Sequence, residues 1–374
     1  MYKEVILIQV DSILSYPPTL SVIHELSKLG LRVTVLTTCV NDNLKLAIPS
    51  NVNLIKVGND YKYTSSIIKK MISLFVLRKK MWENIDKYYN DDTILWVMSN
   101  ITVKHLGGKL VNYNYNLHLF ELVEKIAYIN NYFVFDLDLR KLALSAKNVV
   151  VCEYNRAQIT RAWLQLTKLP LIVSNKPMDS CISKNAPILH SEIAKKRLNE
   201  CKEKKIILYQ GIVDAERPIE PFAKVVEQLD DEYVFVVMTG SDCNFLKKYK
   251  NTVVLPYISA PYHLEVTSHA AIGILIYTPI YGIFTSPLNS IYCAPNKLYE
   301  YSQFGIPMIG NDIPGLKYTI ESNKMGVCVP NLEEESILYA IKKISKDSAI
   351  YESQSRSFYK SEDKGYVIKQ ALMK

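Results

Sequence analysis

The sequence predicts an α/β protein of two domains, each doubly wound around a parallel sheet. Two observations carry this expectation. Apolar runs alternate with helical patterns along the chain, and the alternation restarts after a polar stretch near its middle. Runs such as EVILIQV (4–10) and NVVVCE (148–153) are too continuous for strands with one wet face, and suit strands covered on both sides by helices. At 374 residues, 48% hydrophobic and 22% charged, the chain is long enough for two separate cores.

Taken in order, EVILIQV is the first strand, Ser21 to Lys28 a helix stopped by Gly30, and LRVTVLTT the second strand. This βαβ opening is Rossmann-like, yet the loop DSILSYPPTL contains no glycine where a dinucleotide fingerprint needs three. The first half is therefore a poor dinucleotide binder. TILWVMS (93–99) and KLVNYNYN (109–116) read as further strands, and LHLFELVEK, from Leu117 to Lys125, as the start of a helix. On that helix His118 and Glu121 would share a face near the C-terminal edge of the sheet, where ligands of open α/β sheets collect. A histidine held there by hydrogen bonds for structural reasons is the plainer alternative. Arg140 to Ala146 and Asn155 to Leu166 are helical, and PLIVSNKP (170–177) closes the first domain, 1–177. Residues 178–192, with Pro187 and few periodic apolar positions, read as a linker.

The second domain, 193–346, opens with KKIILYQG, a strand from Lys204 to Tyr209 followed by Gly211, which lets a ligand approach the backbone closely. Pro218 to Leu229 is the next helix, with Arg217 at its start. A cation at a helix N-terminus opposes the dipole unless an anion lies between them, so Arg217 is a phosphate candidate. The alternative is an arginine paired with Glu216 or Glu220. YVFVVMTG, NTVVLPYI and AAIGILIY supply further strands, with a helix from Pro261 to Ser268 between the last two. A loop from Thr278 to Cys293, containing Pro279, Gly282 and Pro287, then leads to APNKLYEYSQFGIPMIGNDIPG (294–315). MGVCVP (325–330) and a helix from Glu333 to Lys346 complete the domain, and the tail 347–374 is polar and helix-prone.

The 294–315 stretch carries the chemistry. Asn296 is placed to cap a short helix that Gly305, Ile306 and Pro307 stop. A helix N-terminus above a parallel sheet offers unpaired amides and the positive end of its dipole to a phosphate, and Lys297 adds a full charge. Glu300, three residues on, falls on the same face, where a carboxylate grips sugar hydroxyls. Phosphate followed by ribose outlines a nucleotide. A Lys/Glu pair on an ordinary surface helix has the same spacing, and the pattern alone leaves both readings open.

Composition narrows the partners. A net charge of +8 suits nucleic acid, an anionic membrane or acidic substrates, but the lysines are spread along the chain and no nucleic-acid module is present. No nucleic-acid partner is expected. SSIIKKMISLFVLRKKMW, Ser65 to Trp82, sets Ile67, Ile68, Met71, Ile72, Phe75 and Val76 at helical spacing beside Lys69, Lys70, Arg78, Lys79 and Lys80. It reads either as a helix that meets an anionic membrane surface or as a core-packed helix with a solvated basic side. The seven cysteines form no CxxC pair and no tight spacing with the six histidines, so neither zinc nor a disulfide framework is expected. With no signal-peptide pattern at the start and no bilayer-length apolar run, the expected location is the cytoplasm, soluble or peripheral on the membrane's inner face.

The 294–315 segment resembles the donor-sugar motif of GT-B glycosyltransferases, in the large retaining group called family 4. The resemblance implies two Rossmann-like domains facing each other across a cleft, and a nucleotide-diphosphate-sugar donor. PNKLYEY, then Gly and Pro, places Lys297 on the diphosphate and Glu300 on the ribose. The motif's other glutamate, eight positions before Glu300, is here Tyr292, which leaves Asn289 and the 286–293 backbone to hold the sugar ring. The resemblance further implies that His118 contacts the donor sugar, that Arg217 after the YxG sequence contacts the diphosphate, and that Tyr257 and Ile258 touch the base. It implies as well that Asn-Lys-Pro ends the first domain, that the last helices cross back to it, and that the acceptor is a saccharide or lipid-linked saccharide of bacterial surface polysaccharide or glycolipid assembly.

The catalytic candidates are thus His118, Arg217 and Lys297, and the donor-binding candidates Gly211, Arg217, Tyr257, Ile258, Asn289, Asn296, Lys297 and Glu300. No cofactor and no metal are expected, because no DxD-type pair ends a strand in the right context and the cations and helix dipole suffice for the leaving diphosphate. Two other functions fit the same architecture. A sugar-nucleotide epimerase needs no acceptor, and a non-catalytic partner subunit would account for Tyr292 and the glycine-free first loop.

Overall fold

The structure, a computed structural model, describes residues 1–59, 66–129, 132–229, 231–280 and 286–374. Ser65 and Gly282 lie outside the described residues. Contacts divide the chain into two units, Met1–Met178 with Asp363–Lys374, and Asp179–Glu362. Of the stretch expected as a linker, 178–192, Met178 falls in the first unit and 179–192 in the second.

In the first unit, β1 (Glu4–Gln9), β2 (Arg32–Thr37), β3 (Val52–Lys56), β4 (Thr93–Met98) and β5 (Tyr115–His118) are followed by a separate antiparallel pair, β6 (Ile126–Ile129) and β7 (Tyr132–Leu137), then β8 (Asn148–Val151) and β9 (Leu171–Ile172). The main sheet is parallel, in the order β3-β2-β1-β4-β5-β8-β9. Its order reverses between β1 and β4, the switch point at which such sheets bind ligands. Side chains alternate between two cores. Ile6, Ile8, Leu95 and Val97 face one, and Val5, Leu7, Trp96 and Met98 the other. Apolar residues face both sides of these strands because helices cover both faces.

The second unit repeats the plan with β10 (Lys205–Gln210), β11 (Tyr233–Thr239), β12 (Thr252–Pro256), β13 (Ala270–Leu275), β14 (Met308–Asn311) and β15 (Gly326–Val329), all parallel, in the order β12-β11-β10-β13-β14-β15. Its switch point lies between β10 and β13. All of β11 is buried, as a central strand requires. The tail is divided between the units. Helix Ser348–Ser361 stays with the second, stacking Phe358 on Tyr299 at 5.7 Å, whereas helix Gly365–Ala371 packs Ile368 and Ala371 into the first and accepts a hydrogen bond from Asn116 at the Ala371 carbonyl.

Two element assignments in the first unit differ from the sequence reading. The strand expected over 109–116 is a 3-10 helix, Gly107–Asn112, because Gly107 at φ +69 turns the chain, and only Tyr115–His118 then pairs with β4. The helix expected over 117–125 does not form. Leu117 and His118 are the last residues of β5, and the Leu119 amide donates to Val150, so the backbone that would have begun a helix is spent on the sheet. Among the described residues, no helix is long and apolar enough to cross a membrane.

Candidate functional site

The site candidates of the second unit other than Tyr257 and Ile258 gather at the β10/β13 switch point. After Tyr209 and Gln210 the chain turns through Gly211 at φ +123, a region that side chains avoid. A Cβ there would lie 2.9 Å from Lys297 Cε and 3.0 Å from its Nζ, so the lysine rests against bare backbone. The ammonium stands 5.5 Å from the ring centroids of both Tyr209 and Tyr277, and donates to the Tyr277 hydroxyl at 3.3 Å. Aromatic faces attract the cation without neutralising it. Burial, and then the neighbouring Arg217 charge, push the Lys297 pKa down to about 8, with Glu300 pulling the other way. Its surroundings therefore disfavour the charged form of the lysine.

Arg217 shares the Tyr277 ring, its guanidinium 5.2 Å from the centroid. It does not stand at the start of a helix, as the sequence suggested. That helix runs Glu220–Gln228, and Arg217 precedes it in a turn, bonding Asp214 at 2.9 Å and Glu216 at 2.7 Å. Its charge is largely answered by these carboxylates, which makes it a weaker phosphate candidate than Lys297. Glu216 also anchors the following loop, since Ser290 donates to its carboxylate and the Thr278 amide to its carbonyl at 2.7 Å. Asn289 sits in that loop's short helix, Leu288–Ile291, immediately before Tyr292 and Cys293.

Helix Asn296–Gln303 begins at Asn296 itself, with Pro295, which makes no side-chain capping bond, in the cap position. Asn296 is thus a first-turn residue rather than the cap, because Pro295 already supplies the extended conformation that a cap residue adopts. A cap residue without such a bond suits an anion site, since a capping side chain would compete with the anion for the first-turn amides. Gly305, at φ +68, ends the helix where the Arg356 side chain crosses it, 2.3 Å from where a Cβ would stand.

Glu300 points inward. It is buried, its Oε2 accepting from Gln210 Nε2 at 2.6 Å and its Oε1 lying 3.3 Å from His263 Nε2. Burial raises its pKa, but His263, Lys297 and Gln210 outweigh this and hold the carboxyl below its ordinary range. The site thus places a cation and an anion one helical turn apart at the switch point. Tyr257 and Ile258 lie on the same sheet edge, but two strands away, after β12. Tyr257 is 69% exposed, with its Cβ 3.5 Å from where a Gly240 Cβ would stand, and Ile258 is partly buried against the core.

In the first unit His118 ends β5 and is fully buried, with its ring 4.8 Å from that of Phe120. It shares no helical face with Glu121, whose exposed carboxylate lies 3.7 Å from Arg156. Its Nδ1 accepts from the Trp96 indole at 3.3 Å, which places the proton on Nε2, and Nε2 is buried with no partner among the described residues. Burial, and then the Lys364 charge, push its pKa down to about 3, so it is a neutral hydrogen-bond donor and no acid–base catalyst near neutral pH. Gln9 Nε2, at the end of β1, is likewise buried without a partner among the described residues. Beyond the β1 and β4 ends, Asp11 at φ +100 and Ser99 at φ +69 hold backbone conformations rare outside glycine, a strain that clusters at ligand sites.

Sequence reasoning missed Tyr209, Tyr277, Gln210 and His263. Only the YxG pattern before Gly211 hinted at the first of them.

No family model matches the chain, and no curated protein matches its sequence. Solved structures do. Sucrose-phosphate synthase from Thermosynechococcus elongatus is similar at TM-score 0.63 and 14% identity, over 99% of this chain and 95% of that one. WaaG, a glycosyltransferase involved in lipopolysaccharide biosynthesis, is similar at TM-score 0.63 and 11% identity, over 99% and 98%. HepE from Anabaena, in complex with UDP and glucose, is similar at TM-score 0.66 and 11% identity, over 99% and 98%, and is also solved with UDP-glucose. Likeness at these identities concerns the fold, and the fold of this chain is the two-domain α/β GT-B fold of glycosyltransferases.

Proposed function

We propose that this protein is a glycosyltransferase that moves a sugar, with retention, from a nucleoside-diphosphate donor to a saccharide or lipid-linked saccharide acceptor in surface polysaccharide or glycolipid assembly. One observation carries the reading. Lys297, whose charged form its surroundings disfavour, sits on Gly211 between two tyrosine rings at a helix N-terminus, with the Glu300 carboxylate one turn on. In this proposal Lys297 and the first-turn amides take the charge that grows on the leaving diphosphate, with Arg217 beside them, and no metal ion is involved. Glu300 holds the ribose. Gly211 admits the phosphates to the backbone, Tyr257 and Ile258 flank the base, and Asn289 with Asn296 faces the sugar and diphosphate. The HepE complexes with UDP and UDP-glucose, and the role of WaaG in lipopolysaccharide biosynthesis, support a nucleotide-sugar donor and a surface-glycan acceptor.

A thermal-shift panel of UDP, GDP, ADP, CDP, TDP and their sugars tests the reading. A ligand at 100 times its Kd adds about 2.7 kcal/mol of stability, and the matching diphosphate is expected to stand out by that order. Failure of every nucleotide to stabilise the protein would sink the proposal. Sugar transfer, rather than epimerisation, is then shown by diphosphate release that depends on added acceptor.

His118 is proposed to donate its Nε2 proton to a hydroxyl of the donor sugar. His118→Ala should lower turnover by about tenfold or more while leaving nucleoside-diphosphate affinity within a factor of two, since the diphosphate contacts lie in the other unit. Because the imidazole is already neutral, the turnover profile of the parent should show no inflection near pH 6.5 that the variant lacks. Unchanged turnover in the variant would return His118 to a structural role.

Helix Ile67–Tyr88 supports a peripheral membrane position. Its C-terminal part packs Leu77, Met81, Trp82 and Ile85 into the core, but Ile68, Ile72, Phe75 and Val76 stay exposed, Ile68 at 72% and Phe75 at 54%, beside Lys69, Lys79 and Lys80. An apolar stripe flanked by lysines fits an anionic lipid surface. Binding to phosphatidylserine-containing vesicles is expected to exceed binding to neutral vesicles and to weaken with salt, and Gln at positions 69, 70, 79 and 80 together should remove the excess. Equal recovery on both vesicles at low salt would exclude the anionic-surface proposal.

A further inference from the structure

The Glu300 carboxylate is held from two directions by one short helix. His263 and Thr267 are the first and last residues of helix His263–Thr267. His263 Nε2 lies 3.3 Å from Glu300 Oε1, and Thr267 Oγ1 donates at 2.6 Å to Gln210 Oε1, turning the Gln210 amide so that its Nε2 donates to Glu300 Oε2 at 2.6 Å. One carboxylate oxygen therefore has an amide donor and the other an imidazole nitrogen 3.3 Å away. A glutamate's terminal torsion is soft, and contacts at both oxygens fix the plane that the torsion leaves free. Two lone-pair positions remain, the number needed to receive both hydroxyls of a ribose.

The supporting helix is itself anchored on its other side. Glu265 is buried, accepting from the Leu189 and His190 amides at 2.8 and 3.1 Å and meeting His190 Nδ1 at 2.5 Å, and His190 stacks on Tyr262 at 3.8 Å. A helix fixed in this way can transmit a position to Glu300. The histidine makes the arrangement costly as well as firm. An ionised carboxylate only accepts, so the imidazole proton sits on Nε2, and Nδ1 is left buried with no partner among the described residues. A buried polar atom without a partner works against stability, so His263 holds its place at a cost that its contact with Glu300 offsets.

We propose that His263 is a positioning residue for donor binding: on the reading that Glu300 holds the ribose, its Nε2 contact with Oε1 at 3.3 Å, together with the Thr267–Gln210 relay, sets the carboxylate plane that receives the two ribose hydroxyls. His263 touches no donor atom in this role. It acts through Glu300, and it ties the ribose contact to the Tyr257–Tyr262 turn that leads into its helix. Recognition of base and ribose thereby share one rigid segment.

The test uses the intact protein, the nucleoside diphosphate that stabilises it best in the panel above, the corresponding nucleoside, and inorganic pyrophosphate, each by isothermal titration. His263→Ala should weaken nucleoside and diphosphate binding by about tenfold and leave pyrophosphate within twofold, because pyrophosphate needs only Lys297 and the helix N-terminus. His263→Gln, whose amide nitrogen reaches the Nε2 position, should recover most of the loss, and His263→Asn, which is too short to do so, should not. In a Glu300→Gln background, His263→Ala should add less than a further twofold. Nucleoside binding by His263→Ala equal to the parent's, or an undiminished loss in the Glu300→Gln background, would overturn the role. If His263→Ala melts early, the Gln and Asn variants still decide, since equal nucleoside affinity in those two would also overturn it. Should Glu300→Gln alone leave nucleoside binding unchanged, it is the ribose reading of Glu300 that fails.

Discussion

Lys297→Met is expected to slow sugar transfer by about 30- to 1,000-fold, the 2 to 4 kcal/mol typical of removing one preorganised charge from a transition state. The methionine keeps the length of the side chain and its contact with Gly211, so the loss is of charge rather than shape. Diphosphate affinity should fall as well and nucleoside affinity should not, which separates this residue from Glu300. The lowered Lys297 pKa adds a signature. With its pKa at about 8, the amine is half-deprotonated near pH 8, and a bound diphosphate draws a proton onto it. Titrations at pH 8 in two buffers of different ionisation enthalpy should show uptake of about half a proton on diphosphate binding, absent in the variant. Diphosphate affinity should weaken as pH rises above about 8. A Lys297→Met protein that binds diphosphate as the parent does would show that the cation is not in the site.

Glu300→Gln is expected to weaken nucleoside and nucleoside diphosphate alike by about 10- to 150-fold, the equivalent of 1.5 to 3 kcal/mol for hydrogen bonds to a charged group, and to spare pyrophosphate. The structure argues for the upper part of that range. Glu300 accepts from Gln210 at one oxygen and meets His263 Nε2 at 3.3 Å at the other, and an amide there turns an NH₂ group against one of those two groups. The variant loses charge and also leaves a buried donor unpaired. Because the carboxyl is held below its ordinary range, its contribution to binding should stay constant through neutral pH and fade only as pH drops through its lowered pKa. That acid-side loss is opposite in direction to the alkaline loss expected for Lys297, so affinity measured from pH 4 to 9 distinguishes the two residues.

The strands were legible because burial on both faces leaves no room for alternation, so EVILIQV or YVFVVMT reads as a central strand before any partner is known. The 117–125 segment misled for a related reason. Leu117 and Phe120, three apart, fit a helix face, and only the Leu119–Val150 hydrogen bond reveals that the sheet claims this backbone first. The place of Arg217 before its helix, rather than at the helix start, was not legible because a turn bonded to Asp214 and Glu216 fixes it. The amphipathic helix was ambiguous in sequence because a stripe of apolar side chains looks the same whether a core or a membrane covers it. The structure buries part of this helix in the core, at Leu77 and Met81, and leaves Ile68 and Phe75 exposed.

By itself the sequence determined the two parallel α/β units, the short helix ended by Gly305, and the placing of Lys297 and Glu300 on one face of it, because all of these follow from local periodicity and backbone preference. Tertiary structure alone decided which side chains complete the site. Gln210 reaches Glu300 across 90 residues, and Tyr209 and Tyr277 converge on Lys297 from strands that meet only at the switch point. No spacing rule encodes contacts of that range, because they are set by the order in which strands assemble into a sheet rather than by their order along the chain.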